Sequence, residues 1–166
     1  MNKGVSKDAG EKRLPPEGAG EAQKISVRVY YEDTDFSGVV YHASYLRFLE
    51  RGRTEFLRAH GVEHRAIFES GAAAYYFAVR AMTLDFRKAA LMDDLLSVET
   101  RIEAIGGASI EMVQAISRGD EILVSARVKI AVVAGGKAIR IPAPLASMLK
   151  AKTGATPENG TGSAPG

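Results

Sequence analysis

The chain has 166 residues, enough for one domain with a sizeable hydrophobic core. A net charge of +2 supplies no strong field for nucleic acid or an anionic membrane surface. The absence of cysteine excludes disulfides, thiolate metal sites and a cysteine nucleophile, and it suits a reducing compartment. No apolar run approaches the roughly 18 residues needed to span a bilayer, and the first two dozen residues lack the apolar stretch of a signal peptide. A cytoplasmic protein is therefore expected.

Residues 1–23 are rich in Gly, Lys, Glu, Ala and Pro, with no periodic apolar face. Such a segment buries too little surface to offset its ordering entropy, and it reads as a disordered tail. Residues 151–166 have a similar character, which leaves a folded domain over about 24–150. Within it, Ile25 to Tyr31 alternates, with Ile25, Val27, Val29 and Tyr31 on one face, as in a half-buried strand. A polar turn follows, and then a helix over Ala43 to His60. Its apolar stripe is Tyr45, Phe48, Leu49, Gly52 and Phe56. Arg51 and Glu55 are spaced to pair on its wet side, and Gly61 is placed to end it in a left-handed cap. Gly52 is costly in mid-helix, which predicts close approach by another backbone.

A connecting segment, Val62 to Ala74, precedes four runs of strand character: Tyr75 to Phe86, Leu95 to Ala104, Ser109 to Ser117 and Ile122 to Ala134. In the last, Ile122, Val124, Ala126, Val128, Ile130 and Val132 form one face, and Leu123, Ser125, Arg127 and Lys129 the other. Gly106-Gly107, Gly119-Asp120 and Gly135-Gly136 mark turns between successive strands. A short strand, Lys137 to Ile141, ends at Pro142 and Pro144, and Leu145 to Leu149 has room for a terminal helical turn. One long helix with an apolar stripe and a meander of antiparallel strands satisfy each other when the sheet wraps around the helix, an α+β arrangement.

The chemistry concentrates in Tyr30-Tyr31-Glu32-Asp33-Thr34-Asp35-Phe36-Ser37-Gly38-Val39-Val40-Tyr41-His42. Asp35 reads as a carboxylate nucleophile or general base, or as a turn-forming, helix-capping residue. Gly38 permits a left-handed bend. The chain through Tyr41 and His42 then enters a helix whose first N–H groups attract developing negative charge. An acid beside such donors suits attack on a carbonyl. Glu50 lies two helical turns beyond His42, as a solvated charge or as a carboxylate that orients water. Asp33 and Asp35 lack a third well-spaced ligand, and His60 and His64 are separated by Gly61 without the Glu that a zinc-protease motif needs, so no metal site is expected. No nucleophile elbow, P-loop or dinucleotide-binding pattern is present. Arg87, Lys88 and Lys129 are candidates for nucleotide phosphates, alongside the plainer reading as solvated strand-end charges.

The run from Tyr31 to His42, followed by Tyr45 and by Phe48-Leu-Glu-Arg-Gly-Arg-Thr-Glu55, resembles the Tol–Pal-associated acyl-CoA thioesterases of the 4-hydroxybenzoyl-CoA thioesterase superfamily. The resemblance extends over about Ile25 to Leu149. It implies a hotdog fold, with Asp35 as catalytic carboxylate, the His42 N–H and its neighbours Gly38 and Tyr41 at the oxyanion site, and the His42 imidazole as a further catalytic group. Tyr31 would help to position the substrate. The resemblance also implies a homodimer or homotetramer with shared active sites, and no cofactor beyond the coenzyme A of the substrate. Phe36-Ser37 stand where the commoner form has Ala-Gly, a departure that bears on acyl preference. The alternatives are a hydro-lyase acting on acyl-carrier-protein substrates and a non-catalytic module that binds acyl-CoA or lipid-synthesis proteins.

Overall fold

A computed structural model describes residues 20–71 and 74–153. The strands are β1 (Gln23–Arg28), β2 (Tyr76–Phe86), β3 (Leu95–Ile105), β4 (Ser109–Arg118), β5 (Glu121–Ala134) and β6 (Lys137–Ala138). The helices are α1 (His42–Ala59), α2 (His64–Glu69) and α3 (Ala143–Thr153). The sheet is antiparallel in the order β1-β3-β4-β5-β2, with β6 folded back on the end of β5. Its inward face carries Val98 and Ile102 from β3, Ile110, Met112 and Ile116 from β4, and Val124, Val128 and Val132 from β5, all buried. These residues close on Tyr45, Phe48, Leu49 and Phe56 of α1. A curved antiparallel sheet wrapped around one long helix is the arrangement that the alternation and the helical stripe predict, and it is the hotdog fold that the resemblance implies.

Gly52 is where helix and sheet come closest. A Cβ built there would stand 2.8 Å from Val98 Cγ1 and 2.9 Å from Thr100 Oγ1. Just beside it the Gln114 amide donates to the Leu49 carbonyl (2.9 Å) and to Thr100 Oγ1 (2.8 Å), while its oxygen accepts from Arg53 (3.0 Å). Burying these polar groups is tolerable because each has a partner. At the other end of α1, Gly61 has a φ of 86°. The Gly61 N–H donates to the Arg58 carbonyl and the Val62 N–H to the Leu57 carbonyl, which closes the helix in a Schellman cap.

The structure departs from the sequence expectations at several points. Gln23, assigned to the N-terminal tail, begins β1 and pairs with Thr100. Helix α3 runs three residues past the expected domain end at Lys150, and the rest of both expected tails lies outside the described residues. The β1 strand ends at Arg28, so Tyr31 belongs to a 3₁₀ turn, Tyr31–Asp33, and is 83% exposed rather than part of the buried face. The turn forms because the Asp33 carboxylate accepts the Tyr30 N–H (2.9 Å) and draws the chain out of the strand. Leu123 is buried, against the expected outward direction. A register shift pairs Ile116 with Val124 but Ser117 with Ile122, and such a bulge re-aims the side chains beyond it. The connecting segment holds the short helix α2. Glu55 pairs with Arg58 rather than Arg51, whose guanidinium lies over the Phe48 ring. Among the described residues no helix is long and apolar enough to cross a membrane.

Replacing Gly52 by Ala tests the close approach. Helix propensity alone favours alanine by about 1 kcal/mol. Against β-branched neighbours at under 3 Å, overpacking of about 1–3 kcal/mol outweighs it. Denaturant unfolding should show a lowered midpoint; an unchanged or raised midpoint would mean that the contact is not tight.

Candidate active site

The segment between β1 and α1 is a small hairpin set against the helix start. Thr34 and Val40 pair across it. The Asp35 N–H donates to the Val39 carbonyl and the Gly38 N–H to the Asp35 carbonyl, each at 3.0 Å. Gly38 closes the turn with a φ of 81°, a left-handed conformation that a side chain would strain. A second loop, between β2 and β3, holds the hairpin from outside. Val39 bridges to Leu91, and the Val40 N–H donates to the Ala90 carbonyl. The Ala90 N–H in turn donates to the buried Tyr45 hydroxyl on α1 (2.8 Å), so one helical side chain fixes both loops.

Asp33 and Asp35, two residues apart, have opposite environments. Asp33 is 3% exposed. Its carboxylate takes the Tyr30 N–H and faces Arg47 at 3.5 Å, and its carbonyl accepts from the Tyr41 N–H and Ser44 hydroxyl. It is a structural clamp. Asp35 is exposed, and its Oδ1 accepts from both the Ser37 hydroxyl and the Ser37 N–H. The Ser37 hydroxyl, followed by the Ser37 N–H, pushes the Asp35 carboxyl below its ordinary pKa. The nearby His42 acts in the same direction, against slight desolvation. Asp35 and His42 are thus brought within electrostatic reach of each other.

Helix α1 begins at His42 with Tyr41 as its cap, and that cap supplies no side-chain hydrogen bond. The first turn holds no acidic residue either. Helix starts are ordinarily closed by Ser, Thr, Asp or Asn, and a missing cap costs about 1 kcal/mol. Among the described residues the His42 and Ala43 N–H groups donate to no protein acceptor. Of the backbone groups expected at the oxyanion site, the Gly38 N–H is used by the Asp35 carbonyl and the Tyr41 N–H by the Asp33 carbonyl. That leaves His42, joined by Ala43, which sequence reasoning did not single out. Ser37 enters the sequence reading only as a departure from the commoner Ala-Gly, although Asp-x-Ser is a recognisable hydrogen-bonding turn.

The remaining candidates lie elsewhere. Glu50 is exposed on the rim of a cavity beside the middle of α1, about 12 Å along the helix from His42 at 1.5 Å per residue. Arg87 pairs with Asp85, Lys88 with Glu121 and Lys129 with Glu111. Arg87 and Lys88 lie beside Leu123 of β5, whereas Lys129 is six residues, about 20 Å, farther along that strand. They do not form one cluster. No group of His, Asp and Glu suited to a metal occurs among the described residues.

A curved antiparallel sheet around one long helix whose first N–H groups are unpartnered places the protein in the hotdog class. The chain belongs to the thioesterase-like superfamily, whose family model matches residues 29–152. It is 47% identical over 111 residues to the acyl-CoA thioesterase YbgC of Haemophilus influenzae, a match that covers 67% of this chain and 80% of that protein. It is 44% identical over 99 residues to the acyl-CoA thioester hydrolase YbgC of Escherichia coli O6:H1, covering 60% and 72% respectively. The crystal structure of a probable thioesterase from Bartonella henselae superposes with a TM-score of 0.71 at 44% identity. That match covers 74% of this chain and all of the other.

Substituting Ser37 by Ala removes the larger of the two Ser37 contributions to Asp35 and keeps the backbone one. The Asp35 carboxyl should then titrate at a higher pH than in the parent protein, while still below an ordinary carboxylate. A carboxyl-resolved NMR titration of both proteins reads this directly, and coincident curves would show that the hydroxyl has no influence.

Proposed function

We propose that this protein hydrolyses acyl-CoA thioesters, with Asp35 as the reacting carboxylate and the His42 and Ala43 N–H groups as the oxyanion site. The observation that carries this reading is the uncapped start of α1 beside an Asp35 held anionic by Ser37. The thioester oxygen docks on the two free N–H groups. The Asp35 carboxylate attacks the carbonyl carbon, or draws a proton from a water that does so. The C–S bond then breaks, and coenzyme A leaves as thiolate and takes up a proton; where Asp35 itself attacked, water hydrolyses the acyl–Asp35 anhydride, which releases the free carboxylic acid and restores the carboxylate. A single oxyanion donor of this kind is typically worth about 2.7–4 kcal/mol. In this reading the His42 imidazole, which lies against the Tyr41 ring at 4.4 Å and acts electrostatically on Asp35, delivers the proton to the leaving sulfur.

The single chain leaves this chemistry poorly shielded. Asp35 is exposed, and Tyr30, Tyr31, Phe36, Leu91 and Met92 also present apolar surface to solvent. Strand β2 is 11 residues long and forms an edge of the sheet. Tyr76, Val79 and Phe86 are exposed along it. A long edge with apolar side chains invites pairing with another strand. The protein is therefore read as a homo-oligomer, dimer or tetramer, joined edge to edge, in which a second copy and the bound acyl-CoA exclude water from Asp35. A cytoplasmic location agrees with a coenzyme A substrate. Phe36, fully exposed on the hairpin, is placed to contact the acyl group or the neighbouring copy.

Asp35→Asn keeps the size of the side chain and removes its charge. Thiol release from an acyl-CoA panel should fall by about 10²–10⁴-fold with the circular dichroism spectrum retained; near-normal turnover would sink the assignment of Asp35. Light scattering should give a whole-number multiple of the chain mass of at least two, and a monomer at micromolar concentration would overturn the edge-paired reading.

A further inference from the structure

The loop between β2 and β3, residues 87–94, holds the candidate site through its backbone. Val39 and Val40 of the Asp35 hairpin pair with its Leu91 and Ala90, and the Ala90 N–H reaches the Tyr45 hydroxyl on α1. A loop that seats the hairpin must itself be held, and packing does little of this. Within it only Ala90 is buried. Asp93 moreover has a φ of 68°, a left-handed conformation that costs a residue with a side chain energy and persists where its surroundings over-determine it.

The grip on the loop comes from charges at the turn between β4 and β5. Arg118, the last residue of β4, donates from one guanidinium nitrogen to Asp94 (2.7 Å) and from the other to Glu121 at the start of β5 (2.8 Å). Glu121 pairs in turn with Lys88 at the opposite end of the loop. One cation thus ties down both ends. Asp94 passes the grip inward: its carboxylate accepts the Leu91 N–H (2.8 Å) and its carbonyl the Val29 N–H (2.9 Å), next to the Tyr30 N–H that Asp33 captures. Arg118 and Asp94 also act electrostatically on the Tyr45 hydroxyl. The Asp94 side chain is 19% exposed, so water screens the pair only in part. Partial burial works against the charge on Asp94, yet the Leu91 N–H and the Arg118 guanidinium outweigh it and lower the Asp94 pKa. An arginine suits this place because its planar fork serves two carboxylates at fixed angles, which a lysine ammonium does not reproduce.

We propose that Arg118 is a positioning residue for the Asp35 turn and the open start of α1, acting through Asp94 and the loop 87–94 rather than on the substrate. Its effect on turnover rests on the hydrolytic reading; its effect on the loop rests on the hydrogen bonds alone.

The test uses full-length Arg118→Met and Asp94→Asn, singly and combined. Arg127→Met, which removes the Arg127–Glu103 pair elsewhere on the sheet, serves as control and should match the parent in both readouts. Amide hydrogen exchange reads the loop without reference to activity. In Arg118→Met the Val40 and Ala90 N–H groups should exchange at least about tenfold faster, while the Val128 N–H in the middle of β5 keeps its parental rate. Thiol release from acyl-CoA, per folded molecule, should show kcat lowered about 10- to 100-fold with KM within about twofold of the parent. The double variant should be no slower than the slower single one, because both remove the same bond, and Arg118→Lys should recover part of the rate. A loss of stability alone would speed all three amides together and leave kcat per folded molecule unchanged. That result, parental exchange at Val40 and Ala90, or fully additive losses in the double variant would overturn the proposal. If the parent protein releases no thiol from any acyl-CoA, the hydrolytic reading fails, and exchange at Val40 and Ala90 still decides whether Arg118 holds the loop. Should Arg118→Met not fold, Asp94→Asn, which keeps an oxygen for the Leu91 N–H, carries both readouts.

Discussion

The contact between Gly52 and the sheet governs the position of everything at the amino end of α1. A glycine in mid-helix sacrifices helix propensity. Here it lets the helix axis settle against Val98 and Thr100 at a distance that a methyl group would not permit. The Gln114 amide then joins the helix backbone at Leu49 to the sheet side chain of Thr100. A hydrogen bond into a buried helix carbonyl is directional in a way that apolar packing is not. The helix can neither roll nor slide without stranding polar groups. Its first turn, ten residues earlier, is therefore held in place by the core rather than by its own cap.

That division of labour explains why the helix start can be left open. Most helices spend a side chain on their first N–H groups; α1 has Tyr41 in that position and no cap bond. Compensation comes from neighbours that do not touch the free donors. The Asp33 carbonyl accepts from Tyr41 and Ser44 just outside the helix, and Tyr45 one turn in receives the Ala90 N–H. Both anchors are buried. The turn and the loop around the opening are thus anchored while the opening itself is unpartnered, which under the proposed chemistry is a preorganised arrangement of dipoles for a charge that develops only during reaction.

Much of this was legible in the sequence, because the two periodicities are cleanly separated. Tyr45, Phe48, Leu49, Gly52 and Phe56 recur at helical spacing, and Val124 to Val132 alternate as a strand. Their burial follows that pattern. Legibility fails where a local bond overrides the pattern. Tyr31 continues an alternating run, yet the Asp33 carboxylate two residues on captures the backbone and turns it outward. Leu123 is re-aimed because it is the extra residue of a bulge in β5, skipped between the Ile116–Val124 and Ser117–Ile122 pairs, and alternation within one strand does not register such a skip. The pairings of Arg53 with Gln114 and of Tyr45 with Ala90 span 61 and 45 residues, and no spacing rule reaches so far. At the candidate site, Asp35, Gly38 and His42 were readable because they are neighbours in one short run. Ala43 was not, since its only distinction is a hydrogen bond that it does not make.

The pairing of Asp33 with Asp35 shows how one turn separates structure from chemistry. Both are aspartates on the same hairpin, and under the proposed chemistry a substitution at either would reach activity, but by different routes. Asp33 is a buried acceptor, and its loss would strand the Tyr30 N–H and unseat the turn. Asp35 has no comparable packing to lose; its partners are the hydroxyl and N–H of the single residue Ser37. Those bonds favour the ionised form and so make the carboxylate a weaker proton acceptor than an ordinary aspartate. General-base catalysis is most effective when the base titrates near the working pH. A carboxylate tuned in the opposite direction is better suited to being fully charged at the moment of attack. Under the proposed chemistry, the Ser37 turn therefore inclines Asp35 toward bonding to the acyl carbon itself, with the free N–H groups of α1 taking the charge displaced onto oxygen.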